Sequence, residues 1–145
     1  MFVVDTNVLI YAADRRSEHH AACAMLLEKL RTQALPWYLT WGIVYEFLRV
    51  VTHPRVFPHP LTATQGMDFV NALIDSPAAS MLLPTERHAS VLRETLRELP
   101  HLRGNIIHDA HTAVLMREHG ISRIWTRDAD FHRFPLLTVL DPLAA

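Results

Sequence analysis

Cys23 is the only cysteine among 145 residues. Its isolation excludes an internal disulfide and any zinc site built from several cysteines, and it suits a reducing cytoplasm. An excess of either charge is also missing. Fourteen Lys and Arg stand against 15 Asp and Glu, for a formal net charge of -1, so the chain is neither an acidic solvating tail nor a sequence-blind polycation. No apolar run approaches the roughly 18 residues of a membrane span. The opening Met1-Phe2-Val3-Val4 meets Asp5 without the basic and long apolar regions of a secretory signal. What the chain does have is apolar content: half its residues are hydrophobic and only 20% are charged, which excludes intrinsic disorder. The expectation is one soluble cytoplasmic domain over 1–145, with no membrane partner.

Apolar runs of strand length alternate with helical periods. Phe2-Val3-Val4 reads as a strand that stops at Asp5. Apolar residues at 22, 23, 26, 27 and 30 trace one helical face, with Ser17 as the N-cap. Trp37-Tyr38-Leu39 is a second strand. Ile43, Val44, Phe47, Leu48 and Val51 then recur at helical spacing until His53-Pro54 ends them. Pro54 to Pro60 is a loop. Thr62 opens a helix through Phe69, Val70, Leu73 and Ile74, and Ser80 to Leu83 is strand-like. A helix from Thr85-Glu86 turns Val91, Leu92, Leu96 and Leu99 inward. Asn105 caps a helix over 106–119, with Gly120 in the C′ place. Ile124-Trp125-Thr126 and Leu137-Thr138-Val139 are the last strands. Strands separated by helices predict an α/β fold with a mainly parallel sheet of four to five strands, covered on both faces.

Four acids sit where stability alone would not place them. Asp5 closes the first strand and Asp128 follows a late one. Glu46 lies on or beside an apolar helical stripe, and Asp109 falls in the first turns of the last long helix. Each has a plain structural explanation: an N-cap for Asp5, an i,i+3 pair with Arg49 for Glu46, the helix dipole for Asp109, and turn chemistry for Asp128. Together they read differently. In a parallel sheet, strand C-termini gather at one edge, and carboxylates converging there repel unless a cation neutralises them. An all-oxygen cluster suits Mg²⁺ or Mn²⁺ rather than zinc, and such ions activate water and stabilise phosphoryl charge.

The ordered set Val4-Asp5-Thr6-Asn7-Val8-Leu9, Tyr45-Glu46-Phe47, His108-Asp109-Ala110 and Thr126-Arg127-Asp128-Ala129-Asp130-Phe131 resembles PIN domains, and more narrowly VapC-type toxins of bacterial toxin–antitoxin pairs. The resemblance spans essentially the whole chain. It implies a three-layer α/β/α fold and a metal-dependent endoribonuclease. Asp5, Glu46, Asp109 and Asp128 match the four acidic positions that would hold one or two Mg²⁺, with Mn²⁺ as the alternative. Asn7, Thr126 and Asp130 match supporting positions. In-line attack of activated water on the phosphodiester, leaving 3′-hydroxyl and 5′-phosphate ends, is the implied chemistry. Family members cut transfer, ribosomal or messenger RNA. A cognate antitoxin and a homodimer are the implied partners.

Arg makes up 13 of the 14 basic residues. Arg15, Arg16, Arg49, Arg55 and Arg127 flank the loops that carry the acids, and are the candidates for backbone phosphate contact. Of ten histidines, His108 and His111 lie near Asp109 and are further candidates for substrate contact, and no HExxH run points to zinc. Two rival readings remain. A haloacid-dehalogenase-like phosphatase also opens on a strand ending in Asp, but wants a second Asp where Asn7 stands and a lysine that the middle third lacks. A non-catalytic α/β binding module would use the same acids as caps and turns. If the four acids serve a metal, the remainder holds 14 basic against 11 acidic residues, or +3. The net charge then averages an acidic pocket with a mildly basic exterior.

Overall fold

The computed structural model describes residues 1–144. Its five strands are β1 (Phe2–Val4), β2 (Trp37–Thr40), β3 (Ala79–Leu82), β4 (Arg123–Trp125) and β5 (Thr138–Leu140). They form one sheet in the order β3-β2-β1-β4-β5, and every pairing is parallel. The helices are α1 (Thr6–Ala13), α2 (His20–Thr32), α3 (Trp41–Val51), α4 (Ala63–Ile74), α5 (His88–Glu98) and α6 (Ile106–Glu118), with a 3-10 turn over Ala129–Arg133. The sheet is thus fully parallel, at the upper strand number expected. No helix among the described residues is long and apolar enough to cross a membrane.

Central β1 is apolar and buried at all three positions, as a strand covered on both faces must be. The chain builds outward from β1 through β2 to β3, then crosses back to add β4 and β5 on the other side. The strand order therefore reverses at β1, and the crevice outside the carboxyl ends of β1 and β4 is where such a sheet offers a binding site.

Local chemistry accounts for most boundaries. The Thr40 hydroxyl accepts the Ile43 N–H at 3.0 Å and starts α3. Thr62 and Gln65 form a reciprocal capping box at α4. Gly120 ends the α6 region with φ of 68°, the left-handed conformation that favours glycine. Ser17 does not cap α2: its hydroxyl accepts the His19 N–H in a turn ahead of the helix, which starts at His20. Asn105 makes no side-chain cap bond to α6. On α5, Val91 and Thr95 face inward and Leu96 is exposed. Thr95 tolerates burial because its hydroxyl donates to the Val91 carbonyl at 2.8 Å. Thr126 lies just beyond β4 rather than within it, though its N–H still donates to the Leu140 carbonyl at 2.9 Å.

α3 is anchored by Phe47, fully buried and stacked on Phe69 of α4 at 5.3 Å between centroids. α4 approaches closely at Gly66, where a Cβ would lie 2.8 Å from Leu48 Cδ2. Because Glu46 precedes Phe47, this packing also sets where Glu46 projects. Phe47→Ala is expected to lower the unfolding free energy by about 3–5 kcal/mol in urea titration; a loss below ~1 kcal/mol would contradict the α3–α4 packing described.

Candidate active site

β1 delivers Asp5 to the sheet edge, where its N–H donates to the Trp125 carbonyl at 3.0 Å and continues the β1–β4 ladder. The residue is only 7% exposed. Its Oδ2 accepts the Thr126 hydroxyl at 2.8 Å and the Asn7 amide at 3.1 Å. Asn7 gives its other amide proton to Thr126 Oγ1 at 2.9 Å, and the same oxygen accepts the Asp128 N–H at 2.9 Å. The Thr126 hydroxyl thus uses its one proton and both lone pairs. Asn7 Oδ1 accepts the Arg127 N–H at 3.0 Å, and Asp128 Oδ1 accepts the Asp130 N–H at 2.9 Å. Asp5 occupies the N-cap position of α1 yet makes no side-chain cap bond to it, so the plain capping explanation does not account for this residue.

The other acids meet Asp5 across a cleft of about 580 Å³ whose walls include Asp5, Glu46, Asp109, Asp128 and Asp130. Asp109, Asp128 and Asp130 each present an oxygen within 4.8 Å of the others. Burial pushes the Asp5 carboxyl up to about 6, against the Thr126 hydrogen bond that favours ionisation. Burial, followed by Asp128, Asp5, Asp130 and Glu46, pushes Asp109 up to about 7. The dipole of α6 alone would keep Asp109 ionised, so its burial and its neighbours outweigh it. Glu46 is held low by the Arg49 guanidinium, which donates to both carboxylate oxygens at 3.0 and 2.6 Å. Two carboxyls raised toward neutrality, beside three more acids, form an all-oxygen donor set that a hard divalent cation fits.

The predicted residues divide clearly. Asp5, Asn7, Glu46, Asp109, Asp128 and Asp130 share the cleft, and Thr126 lies buried beneath it as a tie between Asp5 and Asp128. Asp130 stands in the tightest oxygen cluster rather than at its margin. Of the phosphate-contact candidates, Arg49 and His108 line the cleft. Arg15, Arg16 and Arg55 lie outside its walls, and Arg127 is paired with Asp141 at 3.0 and 3.2 Å. His111 is half-buried against Gly42 and faces an adjoining groove. Sequence reasoning missed the cleft role of Asn105, which lines the wall instead of capping α6; a polar residue four positions before Asp109 was the available signal. It also missed buried Glu118, whose carboxylate accepts from Thr85 N–H and hydroxyl at 2.8 and 2.7 Å and meets His88 Nδ1 at 2.6 Å. An acid ending the apolar run of α6 marked it.

This arrangement, a parallel sheet with acids converging beyond β1 and β4, has counterparts among known proteins. The PIN domain family matches residues 2–137, and the chain belongs to that family. It is 36% identical over 143 residues to Ribonuclease VapC43 of Mycobacterium tuberculosis (strain H37Rv), covering 99% of this chain and 96% of that protein. It is 31% identical over 140 residues to Ribonuclease VapC48 of the same strain, covering 97% and 96%. Among solved structures, VapBC2 from Rickettsia felis bound to a promoter DNA fragment aligns with a TM-score of 0.67 at 15% identity, covering 97% of each chain. Mycobacterium tuberculosis VapC20, a sarcin-ricin loop cleaving toxin, aligns at 0.63 and 15%, covering 91% and 93%. At that identity, the structural matches speak to the fold.

The raised carboxyls have a stability consequence. Folded Asp5 and Asp109 hold protons at pH values where unfolded Asp is already ionised, from about 4 up to about 6 and 7. In that window the folded state binds more protons, so their contribution to stability falls as pH rises. In EDTA, Asp109→Asn is expected to show a shallower decline in Tm than the wild type between about pH 5 and 7.5. At the upper pH its Tm should be a few degrees higher, since ~1 kcal/mol moves Tm by roughly 2–4 °C in a domain this size. Mn²⁺ should raise the wild-type Tm at that pH, and raise the variant's less. Parallel pH curves for the two proteins would contradict the crowding.

Proposed function

We propose that the chain is a divalent-cation-dependent endoribonuclease, the toxin of a toxin–antitoxin pair, acting as one PIN domain over residues 1–145 in the cytoplasm. The observation that carries this reading is the convergence of Asp5, Glu46, Asp109, Asp128 and Asp130 on one cleft. Membership of the PIN family and relatives named Ribonuclease VapC support it.

Asp5, Glu46, Asp109 and Asp128 are the residues that would hold the metal, Mg²⁺ or Mn²⁺. When bound, the cation supplies positive charge against the phosphoryl oxygens and acidifies an adjacent water. The chain's own contribution is positioning. Thr126 and Asn7 fix the Asp5 carboxylate from behind, so it faces the cleft without rearranging. The same Thr126 oxygen takes the Asp128 N–H, which couples the placement of the two acids. The Asp130 N–H holds Asp128 Oδ1, while the Asp130 carboxylate stays free to face the cluster. Carboxylates on several walls can accept the proton released as water attacks phosphorus. His108 and Arg49, both lining the cleft, are the remaining candidates for contact with RNA.

The phosphatase alternative is disfavoured by a specific contact. Where that chemistry needs a second Asp, Asn7 uses both amide protons to tie Asp5 and Thr126 together, and an amide cannot act as its acid or base. A cognate antitoxin and a second copy of the chain are the proposed partners.

Purified protein is expected to cut RNA with Mg²⁺ or Mn²⁺ and to stop in EDTA. Asp5→Ala and Asp109→Ala should each lose on the order of 10²-fold or more in rate, with circular dichroism nearly unchanged, and Thr126→Val about 10–100-fold. RNA cleavage undiminished in EDTA, or phosphomonoester hydrolysis in its place, would overturn the reading.

A further inference from the structure

Among the described residues that wall the acidic cleft, Arg49 alone carries a permanent positive charge. Its fork grips both oxygens of Glu46, Nε to Oε2 at 3.0 Å and Nη2 to Oε1 at 2.6 Å. Glu46 therefore carries a guanidinium on its carboxylate while still lining the cleft with the other acids. The two side chains are 44% and 62% exposed, and water-facing pairs of this kind hold weakly enough to exchange partners. A phosphate presents the same two-oxygen edge to a guanidinium as a carboxylate does. The i,i+3 spacing of Glu46 and Arg49 on α3 keeps the fork at the cleft whichever partner it holds.

We propose that Arg49 is an exchangeable counter-ion: it neutralises Glu46 in the cation-free cleft, and it transfers to an RNA phosphate once a divalent cation occupies Glu46. The proposal rests on the ribonuclease reading for the identity of the phosphate, but not for the exchange itself. It makes binding of cation and RNA mutually reinforcing, because each frees the partner the other needs, and such coupling is reciprocal. It also gives Glu46 a place in the site that its ion pair alone would conceal.

The exchange is tested by calorimetric titration of Mn²⁺ alone into wild type, Arg49→Ala, Glu46→Gln and the double variant. Arg49→Ala should bind Mn²⁺ about threefold more tightly, and Glu46→Gln more weakly, from the scale of exposed ion pairs. In the Glu46→Gln background, Arg49→Ala should have a clearly smaller effect, since the cycle isolates the pair from the charge itself. Equal or weaker Mn²⁺ binding by Arg49→Ala overturns the proposal. So does an undiminished effect in the double variant, which would mark a general charge effect.

A second titration uses a short oligouridylate. Arg49→Ala should weaken its binding about threefold with Ca²⁺ present, and leave it unchanged in EDTA. An equal loss in both conditions identifies Arg49 as a plain phosphate contact and overturns the exchange. Failure of the wild type to cut RNA with Mg²⁺ would reject the ribonuclease reading separately, leaving the Mn²⁺ cycle to judge the Glu46–Arg49 exchange.

Discussion

The hydrogen bond from the Thr126 hydroxyl to Asp5, 2.8 Å across 121 residues of sequence, organises the carboxyl edge of the sheet. Asp5 is nearly buried at the end of the central strand, where an ionised carboxylate is costly unless donors face it. Thr126 and Asn7 provide those donors, and the same two side chains accept from the Asp128 and Arg127 N–H groups. Strand pairing and site geometry are thus one construction, because Asp5 also continues the β1–β4 ladder through its N–H. A hydroxyl with every bonding direction occupied has one arrangement rather than several. That gives the cleft a fixed floor.

Above the floor the dominant effect is repulsion. Asp109 packs among acids that raise it to about 7, and Asp5 rises to about 6. Among the described residues of the cleft, Glu46 alone has a dedicated counter-ion, Arg49. The cleft therefore limits its charge in two ways, by raising the proton affinity of Asp5 and Asp109 and by the Glu46–Arg49 ion pair. On the proposed reading, a divalent cation would take the place of both. The nearly neutral net charge of the chain gives no hint of this, since it averages five clustered acids with basic residues dispersed over the rest of the surface.

The legible part of the sequence was the part carried by periodicity and by polarity out of place. Apolar strands ending abruptly at Asp5 and near Asp128, with helices between, were enough for a parallel sheet and for the acids at its edge. PIN family membership agrees with that reading. Contacts between distant segments were not legible. Nothing in Thr126-Arg127-Asp128 states that the hydroxyl reaches Asp5, or that Arg127 turns to Asp141. Nearness in sequence to the acids marks five arginines, and among the described residues Arg49 is the one whose side chain lines the cleft, because residues three apart on one helix stay neighbours. The inward stripe of α5 was misplaced at Leu96 for a related reason: a hydroxyl bonded to its own helix let Thr95 take the buried position.

The central claim, that the clustered carboxylates form a divalent-cation site, is tested most directly by anomalous diffraction from crystals soaked in Mn²⁺. The account predicts an anomalous peak in the cleft bounded by Asp5, Asp109 and Asp128, absent from Asp109→Asn crystals treated identically. A cleft without a peak at saturating Mn²⁺, or a peak that persists in the variant, would contradict it.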